Sequence, residues 1–311
     1  MSKIEKALQK ARGSRDRQLV ARPADTNGRQ IVPVSEGAMV PSREKHADGS
    51  QQIALMCEPG LRSKKDLEQS GIIYPEMQEN GAVKAFREIR TKIIQKTNGR
   101  NCTVLITSVG GQSGTSLVAL NLGAAFAFDA GKTALVIDCN LRNPSLHKFL
   151  TVQNYKGIKD YLEKPEVDVA EIIHPVGIQR LRVMPAGQSR EASMDYFTSV
   201  RMQQLMGRIK QRYLDRYIIL DAPSMSQSAD VQILMDMCDY VLLVVPYGKV
   251  TEAQTANSVK LINQQKLLGV VFNGEPQIPH LNWREIMTTS PLYLKAALVL
   301  AAVTKKWRKK V

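Results

Sequence analysis

Three short stretches of this 311-residue sequence hold residues whose types and spacing could do chemistry. The first is ITSVGGQSGTSLVALNLG, Ile106 to Gly123, where Gly110, Gly111 and Gly114 stand between an apolar strand pattern and a helical one. Glycines at such a turn expose backbone N–H groups as an anion nest, and the helix N-terminus behind them adds its dipole, so the chemistry is phosphate binding. The pattern G-x-x-x-x-G-K-[ST] would set a lysine on the β- and γ-phosphates, but Thr115 occupies that position; Ser116 stands where a magnesium-binding hydroxyl belongs. The second stretch is VIDCNLRNPSLH, Val136 to His147, where Asp138 ends an apolar run and could face a metal ion or an attacking nucleophile. In the third, YIILDAPS, Tyr217 to Ser224, an apolar strand ends in Asp221, the form of a Walker B acid that holds a magnesium shell. Each has an ordinary reading when taken singly: a glycine turn after a strand is often only a tight connection, and an aspartate at a strand end is often a helix cap.

Strands must carry these residues to one place, and the sequence supplies them. Apolar runs at Cys102 to Ser108, Thr133 to Cys139, Leu181 to Gly187, Arg216 to Pro223, Tyr240 to Pro246 and Leu267 to Asn273 read as buried strands. Helical patterns fall between them at Ser116 to Gly131, Ser199 to Tyr213, Ala229 to Met237 and Thr251 to Gln264, with one more ahead of the first strand at Ala82 to Gln95. This alternation predicts an α/β, P-loop NTPase-like domain with a mostly parallel sheet, helices on both faces and ligands at the carboxyl ends of the strands. The domain is expected at 82–280. Residues 1–81 read as a basic amphipathic helix, Met1 to Arg12, and a polar, largely disordered linker broken by Pro23, Pro33, Pro41, Pro59 and Pro75; residues 281–311 read as a short apolar helix, Ser290 to Val303, followed by KKWRKK.

The net charge of +14 sits largely in the terminal segments. That distribution suits an anionic membrane surface or an acidic partner better than base reading, and no nucleic acid is expected. No apolar run reaches the roughly 20 residues of a spanning helix, and no apolar signal region opens the chain, so the expected location is cytoplasmic, peripheral at the inner face of the plasma membrane. Cys57, Cys102, Cys139 and Cys238 are too scattered for a zinc site or a disulfide frame and read as reduced core thiols.

Order and spacing together say more than any single motif. ALNLG after the loop, VIDCNLRNPSLH, GIKDYL (Gly157 to Leu162), RVMPAG (Arg182 to Gly187), ILDAPS, SAD (Ser228 to Asp230) and GVVFN (Gly269 to Asn273) form a series that resembles the bacterial tyrosine kinases, or BY-kinases, of capsule and exopolysaccharide biosynthesis, relatives of the deviant-Walker partition and septum-site ATPases. The resemblance covers roughly Ala82 to Gly274. It implies ATP or ADP with magnesium as cofactor, held by Gly110, Gly111, Gln112, Ser113, Gly114, Thr115, Ser116, Asp138, Arg142 and Asp221, with Ser116 and Asp221 on the metal. It also implies a membrane-bound polysaccharide chain-length regulator, or co-polymerase, as partner, and self-association as a homo-oligomer.

The departures point away from an active kinase. Thr115 replaces the Walker lysine, Gly110 stands where the partition ATPases carry a second lysine, Asn140 replaces the second acid of the Walker A′ pair, and the C-terminal tyrosine cluster of the family is absent. The ExxRxxR helix used for ring assembly reads Lys84, Arg87, Arg90. Loss of one hydrogen bond to charged phosphate costs roughly ten- to a hundredfold in affinity. The sequence therefore favours an impaired, regulatory or scaffolding member over its alternatives, an active kinase or ATPase of the same system and a partition-type ATPase. For an active enzyme Asp138 and Asp221 would be the catalytic acids, with a lysine brought from elsewhere or from a neighbouring subunit. Lys132, one helix of roughly ~20 Å beyond the loop, is too distant.

Overall fold

The computed structural model of the chain describes Glu58 and residues 60–77, 81–188, 195–212 and 216–275. The N-terminal amphipathic helix, most of the linker, and the apolar and basic tail lie outside the described residues.

The helix α1 (Lys64–Gln69) precedes the longer α2 (Gly81–Thr97). Then come β1 (Thr103–Ser108), α3 (Thr115–Ala127), β2 (Thr133–Asp138), α4 (Ile158–Glu163), β3 (His174–Pro175) and β4 (Leu181–Met184). The chain continues through α5 (Val200–Arg212), β5 (Arg216–Asp221), α6 (Asp230–Met237), β6 (Tyr240–Pro246), α7 (Glu252–Leu261) and β7 (Leu267–Asn273). The strands form one sheet in the order β3-β4-β2-β5-β1-β6-β7, parallel except for the two-residue β3. Every residue of β1, β2 and β5 is buried, because helices cover both faces of the sheet. On one face Val104, Ile106 and Val136 pack with α3 and α2; on the other Leu105, Leu135 and Ile137 pack with α4, α5 and α6. Strand and helix positions expected from the periodicity agree with this arrangement to within a few residues. The short antiparallel β3 carries no alternation by which two residues could announce themselves.

One boundary differs. Residues 60–77, left in the polar linker by the sequence reading, are folded onto the domain as a strap. Leu67, Ile72 and Ile73 are buried. Glu58 forms a buried ion pair with Arg182 and accepts a hydrogen bond from Gly177 N (2.8 Å). Arg62 donates to the carbonyls of Val176 and Phe149, both at 3.0 Å. From α3 the buried Asn121 side chain accepts from Ile73 N (2.8 Å) and donates to Gly71 O (3.0 Å). Three apolar residues without a period, anchored by side-chain contacts to distant backbone, look like linker to any local reading.

Asn121 thus does structural work within the ALNLG motif. Replacing it with leucine strips the partner from the buried Ile73 N–H, at about 1–3 kcal/mol, and frees the more exposed Gly71 carbonyl to water. Asn121→Leu is expected to lower the urea midpoint and to speed amide exchange at Ile73, whereas unchanged exchange at Ile73 would mean that the strap is held by other contacts.

Candidate nucleotide and metal site

Parallel pairing places the carboxyl ends of β1, β2, β5, β6 and β7 along one edge of the sheet. The glycine loop leaves β1 there. Ser108 Oγ donates to Gly110 O (2.9 Å), and Gln112 (φ 52) and Gly114 (φ 74) take left-handed backbone before α3 starts. A non-glycine residue in that region costs about 1 kcal/mol or more, so something must hold Gln112 in place. Lys249 Nζ, in the turn after β6, donates to Gln112 O (3.1 Å), and Asn273 Nδ2, at the end of β7, donates to Ser113 O (2.8 Å). There is no room for more: a Cβ on Gly114 would run into the Asn273 amide, and one on Gly111 would lie 2.7 Å from Gln227 Nε2.

Thr115 and Ser116 open α3. The Thr115 hydroxyl is paired with Ser113 Oγ at 2.8 Å, inside the loop. Ser116 Oγ accepts from Ser145 Oγ (2.8 Å), which ties the glycine loop to the segment after β2.

Asp138 and Asp221 are neighbours in register at the ends of β2 and β5, and both are fully buried. Their surroundings differ. Asp138 Oδ1 accepts from Asn140 N (3.1 Å) and Oδ2 from Ser145 N and Leu146 N (both 3.0 Å), so this carboxylate organises its own loop. Burial pushes it up to about 6, against the pull of those N–H donors and of the Lys159 charge. Neither oxygen of Asp221 has a hydrogen-bond partner. Burial raises its carboxyl well above the ordinary range, Asp138 raises it further, and the nearby Ser116 hydroxyl, short of hydrogen-bond geometry, pulls the other way.

An unpartnered buried carboxylate is costly unless it meets a cation, and Asp221 with the Ser116 hydroxyl beside it is a hard oxygen donor set of the kind magnesium takes. The residues present therefore fit a magnesium ion, with the loop N–H groups left for the phosphates. Asp138 stands behind Asp221 as a second charge whose acceptors are largely committed.

Arg142 stands on the loop after β2. It is exposed and lines, with Asn140, Asn143, Phe197, Gln227 and Asp230, a cavity of about 190 Å³ between the loop after β2 and the segment after β5. The structure thus brings together Gly110 to Ser116, Asp138 and Asp221, and sets Arg142 across that cavity. Sequence reading missed Gln227, Lys249 and Asn273 as loop contacts. Only Asn273, at the end of GVVFN, carried a signal.

The chain is 30% identical over 198 residues to the tyrosine-protein kinase YwqD of Bacillus subtilis, spanning 63% of this chain and 82% of that one. It belongs to the bacterial tyrosine-kinase family. Similarity to the succinoglycan biosynthesis transport protein ExoP of Rhizobium meliloti is 27% over 200 residues and spans 60% of this chain and only 24% of that one. Among solved structures, the chimerical protein CapA2B2 aligns with a TM-score of 0.58 at 24% identity, over 73% of this chain and 97% of that one, and shows the same fold. The sequence matches no protein-family model. Within the BY-kinase fold the three free cysteines among the described residues, Cys102, Cys139 and Cys238, are buried, as expected of core thiols. No helix among the described residues is long and apolar enough to cross a membrane.

Proposed function

We propose that this protein is a catalytically impaired BY-kinase, a regulatory or scaffolding subunit of an exopolysaccharide or capsule assembly system. It works at the inner face of the plasma membrane, against a membrane-bound chain-length regulator. The observation that carries the reading is Thr115: the position that should reach the phosphates holds a hydroxyl paired with Ser113 inside the loop. The nest, Ser116 and Asp221 still suit a magnesium nucleotide, so the site retains weak ATP or ADP binding. Magnesium there would neutralise phosphate charge, with Asp221 and Ser116 as its protein ligands. Phosphoryl transfer depends on positioning and charge neutralisation, which makes catalysis more sensitive than binding to the missing lysine. The likeness to ExoP supports the polysaccharide assignment.

The residues on α2 do not support the family's usual ring contact. Arg90, last of the three positions on α2, turns inward and donates to Ala125 O of α3 (3.0 Å), and Lys84 brings a cation where an acid is expected.

Full-length protein incubated with labelled ATP and magnesium is expected to transfer no phosphate to tyrosine. Transfer that disappears in Asp221→Ala would show an active kinase and overturn the proposal.

A further inference from the structure

We propose that Lys249 supplies, from the turn after β6, the positive charge that position 115 lacks. This deepens the nucleotide-site reading above and rests on it. β6 runs beside β1 with Ser108 opposite Val244, and Val109 N donates to Val244 O (3.1 Å), so the turn that follows β6 lies against the start of the glycine loop. Its backbone is fixed there. Tyr247 N donates to Asn273 O (2.8 Å), Gly248 takes a left-handed φ of 67, Thr251 caps α7, and Val250 packs so closely on the loop that a Cβ at Gly110 would lie 3.0 Å from it. From this fixed point the exposed Lys249 sends its ammonium to Gln112 O.

Other cations fail on position. Lys132 donates to Gly99 O and lies over the Tyr217 ring, at the opposite end of the sheet from the loop. Arg142 lines the cavity beside Gln227, and Lys159, buried on α4, acts on Asp138. Lys249 donates its hydrogen bond directly to the glycine loop. A carbonyl oxygen holds an ammonium less tightly than a phosphate does, since phosphate adds the attraction of opposite charges to the charge-assisted hydrogen bond. The compact charge on a flexible four-carbon stem can exchange one for the other while Asn273 keeps its hold on the loop at Ser113. On this view the missing lysine is replaced in space from another strand, and Thr115 is free to serve as a loop-internal hydroxyl.

The test is calorimetric titration of the full-length protein with magnesium–ADP and magnesium–ATP, comparing wild type with Lys249→Gln, Lys249→Arg, Thr115→Lys and the Thr115→Lys/Lys249→Gln double variant. Glutamine keeps a donor for the Gln112 carbonyl but carries no charge. Expected are a loss of roughly ten- to a hundredfold for Lys249→Gln, near-wild-type affinity for Lys249→Arg, and recovery in the double variant, because a lysine at 115 makes the surrogate redundant. Wild-type affinity in Lys249→Gln would reduce Lys249 to a loop clamp and overturn the proposal. Binding by Thr115→Lys with none by wild type would overturn it too, leaving the nucleotide site intact as a fold. Absence of binding in both would sink the surrogate and the nucleotide reading together.

Discussion

Asp221→Asn is expected to raise the stability of the protein at neutral pH while removing the effect of magnesium on its nucleotide binding. The stabilising half follows from burial. Both oxygens of Asp221 lie in the interior with no hydrogen-bond partner, opposite a second buried carboxylate. Asparagine removes the charge and the repulsion at nearly constant shape, worth about 1–3 kcal/mol, or a melting temperature higher by several degrees for a domain of this size. The sign of the pH dependence follows from the same two groups. Asp138 and Asp221 both have folded-state values raised above the unfolded carboxylate, so the native state binds extra protons. Their stabilisation is fully present below the ordinary carboxylate pKa and is lost as pH rises through the folded values. For Asp138 that window runs from roughly 4 to about 6. Wild-type protein without nucleotide should therefore melt higher near the acid end of this window than at neutrality, and Asp221→Asn should flatten the slope. Magnesium-dependent affinity should run the opposite way in the wild type, strengthening as the pair ionises. A wild type that loses stability steadily as pH falls from about 7 to about 5 would show that the pair is not held in this raised state.

Thr115→Lys, made in the Lys249→Gln background, is expected to tighten magnesium–ATP binding by roughly ten- to a hundredfold and to leave tyrosine phosphorylation undetected. The position accepts the change. Thr115 is only half-buried at the first turn of α3, behind a left-handed Gly114, so a longer side chain can leave the loop, and the loss is one hydroxyl pair with Ser113. Catalysis lacks more than this lysine. Asn140 spends its amide oxygen on Asn143 N (3.4 Å) within its own turn and adds no negative charge beside Asp138. Titration of the variant, followed by the labelled-ATP assay, checks both halves. Improved affinity accompanied by rapid phosphotransfer would mean that Thr115 alone had silenced the enzyme.

Most of what positions this site was legible in the sequence. Strands such as Tyr240–Pro246 are continuous apolar runs, and parallel strands alternating with helices can only bring Gly110, Asp138 and Asp221 to one edge. The contacts that act between elements were not legible. Lys249 and Gln112 are 137 positions apart, and nothing in GKVT marks a lysine that folds back onto a loop. Arg142 shows the same limit: its motif match placed it on the turn after β2, but the cavity it lines with Gln227 was not legible in the motif. Local pattern fixes where a residue leaves its strand, whereas the direction of a long side chain depends on neighbours that the pattern does not contain.

The strap also sets an order of events during synthesis. Glu58 leaves the ribosome 124 residues ahead of Arg182, and Arg62 precedes its acceptor Val176 by 114. Until β4 has been made, the glutamate has no cation to follow into the interior, and Ile72 and Ile73 have only half a surface to cover them. The strap therefore cannot close as it emerges; it must wait, solvated, for a strand made more than a hundred residues later, so it settles after elements that follow it in the chain.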